Sequence, residues 1–149
     1  MTIYLDTCCW CRPYDDHTVD KNRKQAVAIL RIIKWARQHG FTVLGSDTLD
    51  EEIRRIVNSD KHARVSTLYR RTITEMADFV DTAFEYVEPL AEAAGIAGLD
   101  VHHLAFAVGA GADYLITTDE DFITLASGLN VSVRVINPLD FMMNEGGLR

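Results

Sequence analysis

The sequence predicts an α/β fold of three layers, in which a central, mostly parallel sheet of about four or five strands lies between helices in the Rossmann-like manner. Two observations predict this class. Short, nearly continuous apolar stretches recur along the 149 residues, which is typical of strands buried on both faces. Between them lie longer segments whose apolar residues recur at helical spacing. We therefore expect one domain over residues 1–149.

The chain opens with a predicted β-α-β unit. Residues 2–6 are expected to form a buried strand that ends at Asp6, and residues 8–20 a loop. A helix is expected over residues 21–39, where apolar side chains recur at helical spacing before a glycine. A second strand over residues 41–44 would complete the unit, with the right-handed crossover that such units adopt.

The helix after the second strand is expected to begin at residues 46–48, with Thr48 and Glu51 as a capping box. On a helical wheel, Glu52 falls at the edge of an apolar face and Glu51 points away from it. We therefore expect Glu51 to face solvent and Glu52 to face the sheet. The apolar face comprises Leu49, Ile53, Ile56 and Val57.

The middle of the chain gives weaker signals. Residues 79–81 are expected to form a third, weak strand, and residues 83–94 to be mostly helical, with a kink or break at Pro89. Residues 99–110 are apolar nearly all round a helical wheel, which indicates a buried helix. Its only polar members lie in the first turn and are Asp100, His102 and His103.

The C-terminal part is expected to contain two more strands. Residues 114–117 form a buried strand, and residues 131–136 form the last strand after a short helix. A final helical turn is expected to start at Asn137-Pro138, because proline is favoured at the first position of a helix. The tail that contains Gly146-Gly147 is expected to be frayed.

Composition excludes several classes of protein. Apolar residues make up 48% and charged residues 25% of the chain, as in an ordinary globular protein. No apolar stretch approaches the roughly 18 residues needed to span a bilayer, and the N-terminus carries no signal-peptide pattern. We therefore expect a cytoplasmic protein that does not bind a membrane. The net charge of -7 argues against a protein that coats nucleic acid, but not against an enzyme that binds it locally.

The three cysteines are Cys8, Cys9 and Cys11. Their number is odd and their spacing is too short for an ordinary disulfide framework, so we expect reduced thiols. A zinc site that combines them with a histidine is the disfavoured alternative, because no second pair of cysteines exists. Packing of Cys8 and Cys9 as small apolar side chains is the preferred interpretation.

Four carboxylates stand where a predicted element begins or ends. Asp6 and Asp119 follow two buried strands. Glu52 lies one turn into a helix that follows a strand, and Asp100 opens another helix. Taken singly, Asp100 could complement a helix dipole and Asp119 could begin a turn. In a doubly wound sheet, however, strand carboxyl ends and helix amino ends share one edge, so we expect the four side chains to converge there.

Converging carboxylates need a positive partner. Several of them within a few ångströms repel one another and raise each other's pKa, and a divalent cation removes that repulsion. Hard oxygen ligands with few nitrogens favour Mg²⁺ or Mn²⁺. A site with one or two such ions suits hydrolysis of phosphodiester bonds, since the ions bind the phosphate and activate water.

A basic stretch over residues 54–71 stands out in this acidic chain. It is either a solvated helical face or a surface that contacts phosphate groups, and the sequence does not decide between them. Arg12 has two similar alternatives, since it could contact phosphate or pair with Asp15 or Asp16.

Four segments of the chain together resemble the motifs of the PIN domain, the metal-dependent ribonuclease fold that includes the VapC-type toxins. Residues 3–7 resemble the first motif and residues 46–53 the second. Residues 99–105 resemble the third motif and residues 111–122 the fourth. No single motif is specific, but four in the right order, with the right intervening elements, cover nearly the whole chain.

The resemblance assigns roles to individual residues. It implies that the metal-binding, catalytic set is Asp6, Glu52, Asp100 and Asp119. Asp121 would be an auxiliary acid, and Thr117 and Thr118 would orient a carboxylate or a water. With RNA as substrate, the candidate contacts are Arg12, Arg54, Arg55, Lys61 and Arg64. His102 and His103 could add acid–base help near Asp100, but we expect them to make ordinary contacts.

The function implied by the resemblance is that of an Mg²⁺- or Mn²⁺-dependent endoribonuclease, as the toxin of a type II toxin–antitoxin pair. A cognate antitoxin and a homodimer are implied with it. One alternative is a housekeeping PIN nuclease in RNA processing. The other is a non-catalytic PIN-fold module that binds RNA or protein, although the complete acidic set argues against it.

Overall fold

Five parallel strands form the central sheet of the computed structural model, which describes residues 1–145. The strands are β1 (Thr2–Leu5), β2 (Thr42–Gly45), β3 (Glu75–Met76), β4 (Tyr114–Ile116) and β5 (Arg134–Ile136). Their order in the sheet is β3-β2-β1-β4-β5, and each neighbouring pair is parallel. The order reverses at β1, so the crevice between β1 and β4 is the switch point of the sheet.

Eight α-helices connect and flank the strands in the part of the chain that the structure describes. They are α1 (Thr7–Cys11), α2 (Asp20–His39), α3 (Asp47–Arg54), α4 (Ser59–Thr72), α5 (Asp81–Ala93), α6 (Leu99–Gly109), α7 (Glu120–Ala126) and α8 (Pro138–Asn144). A 3₁₀ turn (Arg12–Tyr14) follows α1 directly. None of the helices within residues 1–145 has the length and apolarity that crossing a bilayer requires.

The centre of the core is β1. Ile3, Tyr4 and Leu5 have no exposed surface, although successive side chains of a strand point to opposite faces of the sheet. Both faces are therefore covered, which confirms the predicted three-layer α/β fold with a parallel sheet. In register beside β1, Leu44 of β2 and Leu115 of β4 are also buried.

The prediction of a loop over residues 8–20 was wrong, because α1 and the 3₁₀ turn occupy its first half. Asp6 caps α1, and its backbone carbonyl accepts a hydrogen bond from the N–H group of Cys9 at 2.8 Å. Trp10 is fully buried and donates its ring N–H to the carbonyl of Leu5 at 3.0 Å. Burial of this short helix against the core stabilises it, although its sequence has no helical pattern of apolar residues.

The predicted capping box of α3 was also wrong. Ser46 is the N-cap, and its hydroxyl oxygen accepts the N–H group of Leu49 at 3.1 Å, so α3 begins two residues earlier than Thr48 would allow. The helix ends at Arg54, and Val57 is therefore 96% exposed instead of lying on the apolar face. The expected burial of Leu49 is present.

The third strand is Glu75–Met76, so the strand expected at residues 79–81 was wrong. Val80 is the residue before α5, and Phe79 stacks on Phe84 with ring centroids 4.1 Å apart. The apolar character of this segment therefore serves helix packing and not the sheet. β3 has only two residues, both exposed, and carries little hydrophobic signal.

Pro89 lies inside α5 without breaking the helix. Proline has no N–H group, so the carbonyl group of Glu85, four residues earlier, has no helical hydrogen-bond donor. Both residues are exposed, so water can satisfy that carbonyl. Of the predicted kink or break at this residue, the break was therefore wrong, and the kink stays a prediction.

The C-terminal part follows the prediction with shorter strands. β4 and β5 each have three residues, and α8 begins after Asn137, whose side chain accepts the N–H group of Asp140 at 2.8 Å. The buried helix expected over residues 99–110 is α6. The predicted frayed tail at Gly146-Gly147 lies outside the described residues.

Candidate active site

Asp6 lies at the carboxyl end of β1, at the switch point, and is 6% exposed. Its Oδ1 accepts the backbone N–H of Thr7 at 2.7 Å, and its Oδ2 accepts the hydroxyl of Thr117 at 2.7 Å. Its own N–H donates to the carbonyl of Ile116 at 2.9 Å, which ties the residue to the end of β4. The carboxylate is thus held by the first residue of α1 and by the residue that follows β4.

Glu52 reaches the same edge from the second turn of α3 and is half-buried. Its Oε1 accepts the hydroxyl of Thr7 at 2.8 Å and contacts Nε2 of His103. Burial raises the pKa of Glu52, but the hydrogen bond and charge of His103 and the hydrogen bond from Thr7 outweigh it, so the net pKa is lowered. Glu51 forms ion pairs with Arg54 and Arg55 on the outer side of the helix.

His103 belongs to the site, and the expectation that it makes ordinary contacts was wrong. It is 1% exposed; its Nδ1 lies 2.6 Å from the Tyr4 hydroxyl and its Nε2 lies 3.4 Å from Oδ1 of Asp6. Burial lowers the pKa of His103, but Glu52 and Asp6 more than compensate and leave it raised. Its spacing of three residues from Asp100, which puts both on one face of α6, was the available sequence signal.

His102, by contrast, is exposed and lies outside this group of side chains. Its ring meets Phe84 edge-on with centroids 5.5 Å apart. For this histidine the expectation of ordinary contacts agrees with the structure.

Asp100 and Asp119 lie further from the centre of the site. Burial, then the charges of Asp6, Asp119 and Glu52, raise the pKa of Asp100 to about 6, against a smaller opposing effect of His103. Asp119 is exposed and caps α7 by accepting the N–H group of Phe122 at 3.1 Å. The structure thus brings the four carboxylates to one edge, where each of the other three raises the pKa of Asp100.

The donor set fits a divalent cation. Asp6, Glu52 and His103 each offer a ligand atom, and these atoms lie within 4.8 Å of one another. Burial is the largest cause of the raised pKa of Asp100, and the charges of Asp6, Asp119 and Glu52 add to it. Carboxylate oxygens that dominate the set suit Mg²⁺ or Mn²⁺.

The other residues singled out by the sequence have different surroundings. Thr117 is fully buried, donates to Asp6 and accepts the N–H group of Asp119 at 3.1 Å. The hydroxyl of Thr118 accepts a hydrogen bond from Arg12 at 3.1 Å and contacts no carboxylate among the described residues. Asp121 is exposed in the first turn of α7.

The five basic candidates all pair with carboxylates of this chain. The pairs are Arg12–Asp15 (3.1 Å), Lys61–Asp15 (2.7 Å), Arg64–Asp60 (3.1 Å), Arg55–Glu51 (3.0 Å) and Arg54–Glu51. Of the two alternatives left open for Arg12, the pair with Asp15 is therefore present. Each candidate cation is partly neutralised before any phosphate group approaches.

Cys8 is a neighbour of the carboxylates that the sequence did not indicate. Its Sγ lies 3.5 Å from Oδ2 of Asp6 and 3.4 Å from the Thr117 hydroxyl. Cys9 is fully buried and its thiol contacts the carbonyl of Ile116 at 3.2 Å. The three thiols are free, as expected, and Cys9 packs within the core.

Comparisons with known proteins agree with this fold. The family model described as PIN domain matches residues 3–128. The structure of VapBC2 from Rickettsia felis, solved with a DNA fragment from the VapBC2 promoter, superposes on this chain with a TM-score of 0.64 at 12% identity. FitAcB from Neisseria gonorrhoeae superposes with a TM-score of 0.53 at 18% identity. In both cases 92% of this chain and 98% of that chain are covered, and identities this low indicate a shared fold. A comparison with curated protein sequences found no match.

Proposed function

The chain belongs to the PIN domain family, and from this premise we propose that it is an Mg²⁺- or Mn²⁺-dependent endoribonuclease. The observation that carries the proposal is the convergence of Asp6 and Glu52 at the switch point, where a third carboxylate, Asp100, has its pKa raised to about 6. Burial is the largest cause of that rise, and the charges of the neighbouring carboxylates add to it; a bound cation would offset their mutual repulsion.

The roles of the residues follow from their contacts. Asp6 and Glu52 are the inner ligands, because both are buried or half-buried and both are held by hydrogen bonds from Thr7. Asp100 and Asp119 complete the acidic set from α6 and from the end of β4. A divalent ion held by these residues would supply positive charge for the scissile phosphate and would activate water for its hydrolysis.

Hydrogen bonds preorganise this set before substrate arrives. Thr117 links Asp6 to the backbone of Asp119, so that the ends of β1 and β4 keep a fixed separation. Such support matters because a displacement of about 1 Å at a reacting centre can cost roughly 100-fold in rate. We assign Thr117 this positioning role and assign none to Asp121.

We also propose that the enzyme is the toxin of a toxin–antitoxin pair, that an antitoxin protein is its partner, and that it acts as a homodimer. The similarity of the fold to VapBC2 and FitAcB supports this, together with the motifs shared with VapC-type toxins. RNA contact through Arg12, Arg54, Arg55, Lys61 and Arg64 belongs to the same proposal. These side chains would have to exchange an internal carboxylate for a phosphate.

Cleavage of RNA by highly purified protein tests the enzymatic proposal. We expect cleavage with Mn²⁺, none with EDTA, and none for Asp6→Asn protein prepared identically. Equal activity in the wild type and the variant would contradict the proposal, because it would point to a contaminating nuclease. Absence of cleavage on several RNAs, in a wild type that Mn²⁺ does not stabilise, would also contradict it.

Growth of cells that express the chain alone tests the toxin proposal. We expect expression of the wild type to arrest growth, and Asp6→Asn or Glu52→Gln to relieve the arrest at equal amounts of folded protein. Harm from a folded Asp6→Asn protein equal to that from the wild type would contradict the mechanism. Harmless expression of a protein that cleaves RNA in vitro would favour a housekeeping nuclease.

A further inference from the structure

We propose that His103 is a positioning residue, whose Nε2–H group holds Glu52 and Asp6 for the cation while Tyr4 and Ser46 orient its ring. The proposal deepens the proposed function, since its consequence for metal binding depends on the metal site described above. The hydrogen-bond chain itself does not depend on a bound metal, so it can be tested separately from the proposed function.

The first step is the direction of the hydrogen bond at Nε2. Glu52 is an acceptor when ionised, so the ring nitrogen that contacts its Oε1 must carry the proton. The same nitrogen faces a second acceptor, Oδ1 of Asp6, at 3.4 Å. One N–H group therefore lies between two carboxylates and reduces their mutual repulsion.

The second step is the other side of the ring. Nδ1 lies 2.6 Å from the Tyr4 hydroxyl, which lies 2.7 Å from the hydroxyl of Ser46. The Ser46 oxygen already accepts the N–H group of Leu49, so its own proton is available for Tyr4. Tyr4 then donates to Nδ1, and all donors run in one direction from Ser46 to Glu52.

The third step is rigidity. Tyr4 and Ser46 have no exposed surface and His103 has 1%, so bulk water does not compete for these hydrogen bonds. The three residues come from β1, the N-cap of α3 and α6. The chain therefore joins the strand that carries Asp6 to the helix that carries Glu52.

A consequence follows for the choice of metal. An Nε2 that keeps its proton has no free electron pair, so His103 does not ligate the ion although its nitrogen lies within 4.8 Å of both carboxylates. The ligands are then oxygens, and hard Mg²⁺ and Mn²⁺ remain suitable. If Nε2 were a ligand, the site would favour softer metal ions.

Nitrogen NMR of the wild-type protein tests the hydrogen-bond chain without metal and without mutation. Protein with ¹⁵N-labelled histidine is measured in EDTA, and the signals of His103 are assigned from the spectrum of His103→Gln. We expect a proton on Nε2, with Nδ1 as the acceptor from Tyr4. Protons on both nitrogens would keep Nε2 as the donor to Glu52 but would overturn the donation from Tyr4 to Nδ1, whereas a bare Nε2 would overturn the whole proposal.

Mn²⁺ affinity tests what the chain does for the site. We expect His103→Ala to weaken binding by roughly 10- to 100-fold, as is typical when a partner of a metal ligand is lost. His103→Gln should recover much of the loss, because its amide N–H group can replace Nε2–H. The matched control is His102→Gln, since that exposed neighbour contacts no carboxylate of the site. Unchanged affinity in folded His103→Ala protein would overturn the proposal.

Electron spin-echo spectra of the Mn²⁺-loaded wild type separate positioning from ligation. We expect no coupling to a directly bound histidine nitrogen. A strong nitrogen coupling that disappears in His103→Gln would overturn the positioning role and leave the proposed metal site intact. If the wild type bound no Mn²⁺, the proposed function would fail, while the NMR experiment would still decide the hydrogen-bond chain.

Discussion

At the scale of single residues, Asp100 combines partial burial with three neighbouring carboxylates, and its pKa is raised to about 6. Below that pH a proton occupies the group and competes with the cation. We expect the Mn²⁺ affinity to rise by about tenfold per unit between pH 5 and 6 and to flatten above pH 7. Titration calorimetry at several pH values measures this. A rise that persists unchanged in Asp100→Asn would contradict the assignment to this residue.

The same residue should lower the stability of the metal-free protein. Because the folded pKa of Asp100 exceeds its ordinary value, ionisation costs stability at neutral pH, and the cost vanishes below about pH 4, where the group is protonated in both states. We expect Asp100→Asn to raise the Tm in EDTA by roughly 2–4 °C at pH 7.5, which corresponds to about 1 kcal/mol after screening of a half-exposed group. A lower Tm for the variant would contradict this account.

Thr117 offers a test of positioning by a neutral side chain. Thr117→Val keeps the shape of the side chain but removes the donor to Asp6 and the acceptor for the N–H group of Asp119. We expect the Mn²⁺ affinity to fall about tenfold while the circular dichroism spectrum stays native. Thr117→Ser keeps the hydroxyl and is the matched control. Equal affinity in the valine and serine variants would contradict the role.

The sequence indicated which residues carry charge near the ends of strands, and the resemblance indicated Thr117 as a partner of a carboxylate, but neither indicated the partners of Glu52. Asp6 could be predicted because a charge directly after a buried strand has few explanations, whereas Asp119 could be predicted only together with the other carboxylates. His103 could not, because its role depends on Tyr4 and Glu52, which lie 99 and 51 positions away in the chain. Within α6, only the spacing of three residues from Asp100 distinguishes His103 from the exposed His102.

At the scale of elements, the end of β2 tolerates no side chain. A Cβ atom on Gly45 would lie 2.6 Å from Sδ of Met76 and 2.6 Å from the Tyr69 hydroxyl, which itself accepts the N–H group of Ser46. We expect Gly45→Ala to lower the free energy of unfolding by roughly 1–3 kcal/mol in urea titrations. Gly128→Ala is the matched control, because its Cβ would meet no atom within 4 Å. Equal stability of the two variants would contradict the described packing.

Helices and strands whose residues are apolar along their length could be predicted. Those that are stabilised by contacts with distant residues could not. β1, β4 and α6 are apolar along their length, and the sequence located all three. By contrast, α1 has five residues and is stabilised by the cap at Asp6 and by burial of Trp10. Neither interaction produces a repeat of apolar residues at helical spacing in the sequence. β3 is two exposed residues whose strand character comes only from hydrogen bonds to β2.

At the scale of the whole molecule, the parallel topology brings distant segments of the chain to one edge. Asp6, Glu52, Asp100 and Asp119 span more than a hundred positions, yet alternation of strands and helices suffices to predict that they share an edge. The distances within the set could not be predicted, since they depend on crossover packing. The homodimer and the antitoxin stay predictions, because they concern surfaces and not the sheet.

Charge at this scale also bears on how the proposed RNA substrate would be bound. The chain has a net charge of -7, and its candidate cations are paired internally, so long-range attraction of RNA is weak. The proposed function therefore relies on contacts at the metal site and on local exchange of ion pairs.

Anomalous diffraction from crystals soaked in Mn²⁺ tests most directly the claim that these carboxylates form one metal site. We expect a peak in contact with carboxylate oxygens of Asp6 and of Glu52 or Asp100, with Nε2 of His103 outside the coordination sphere. Crystals of Asp6→Asn protein should lack the peak. A peak only at the exposed acidic side chains elsewhere on the surface, or no peak at saturating Mn²⁺, would contradict the account.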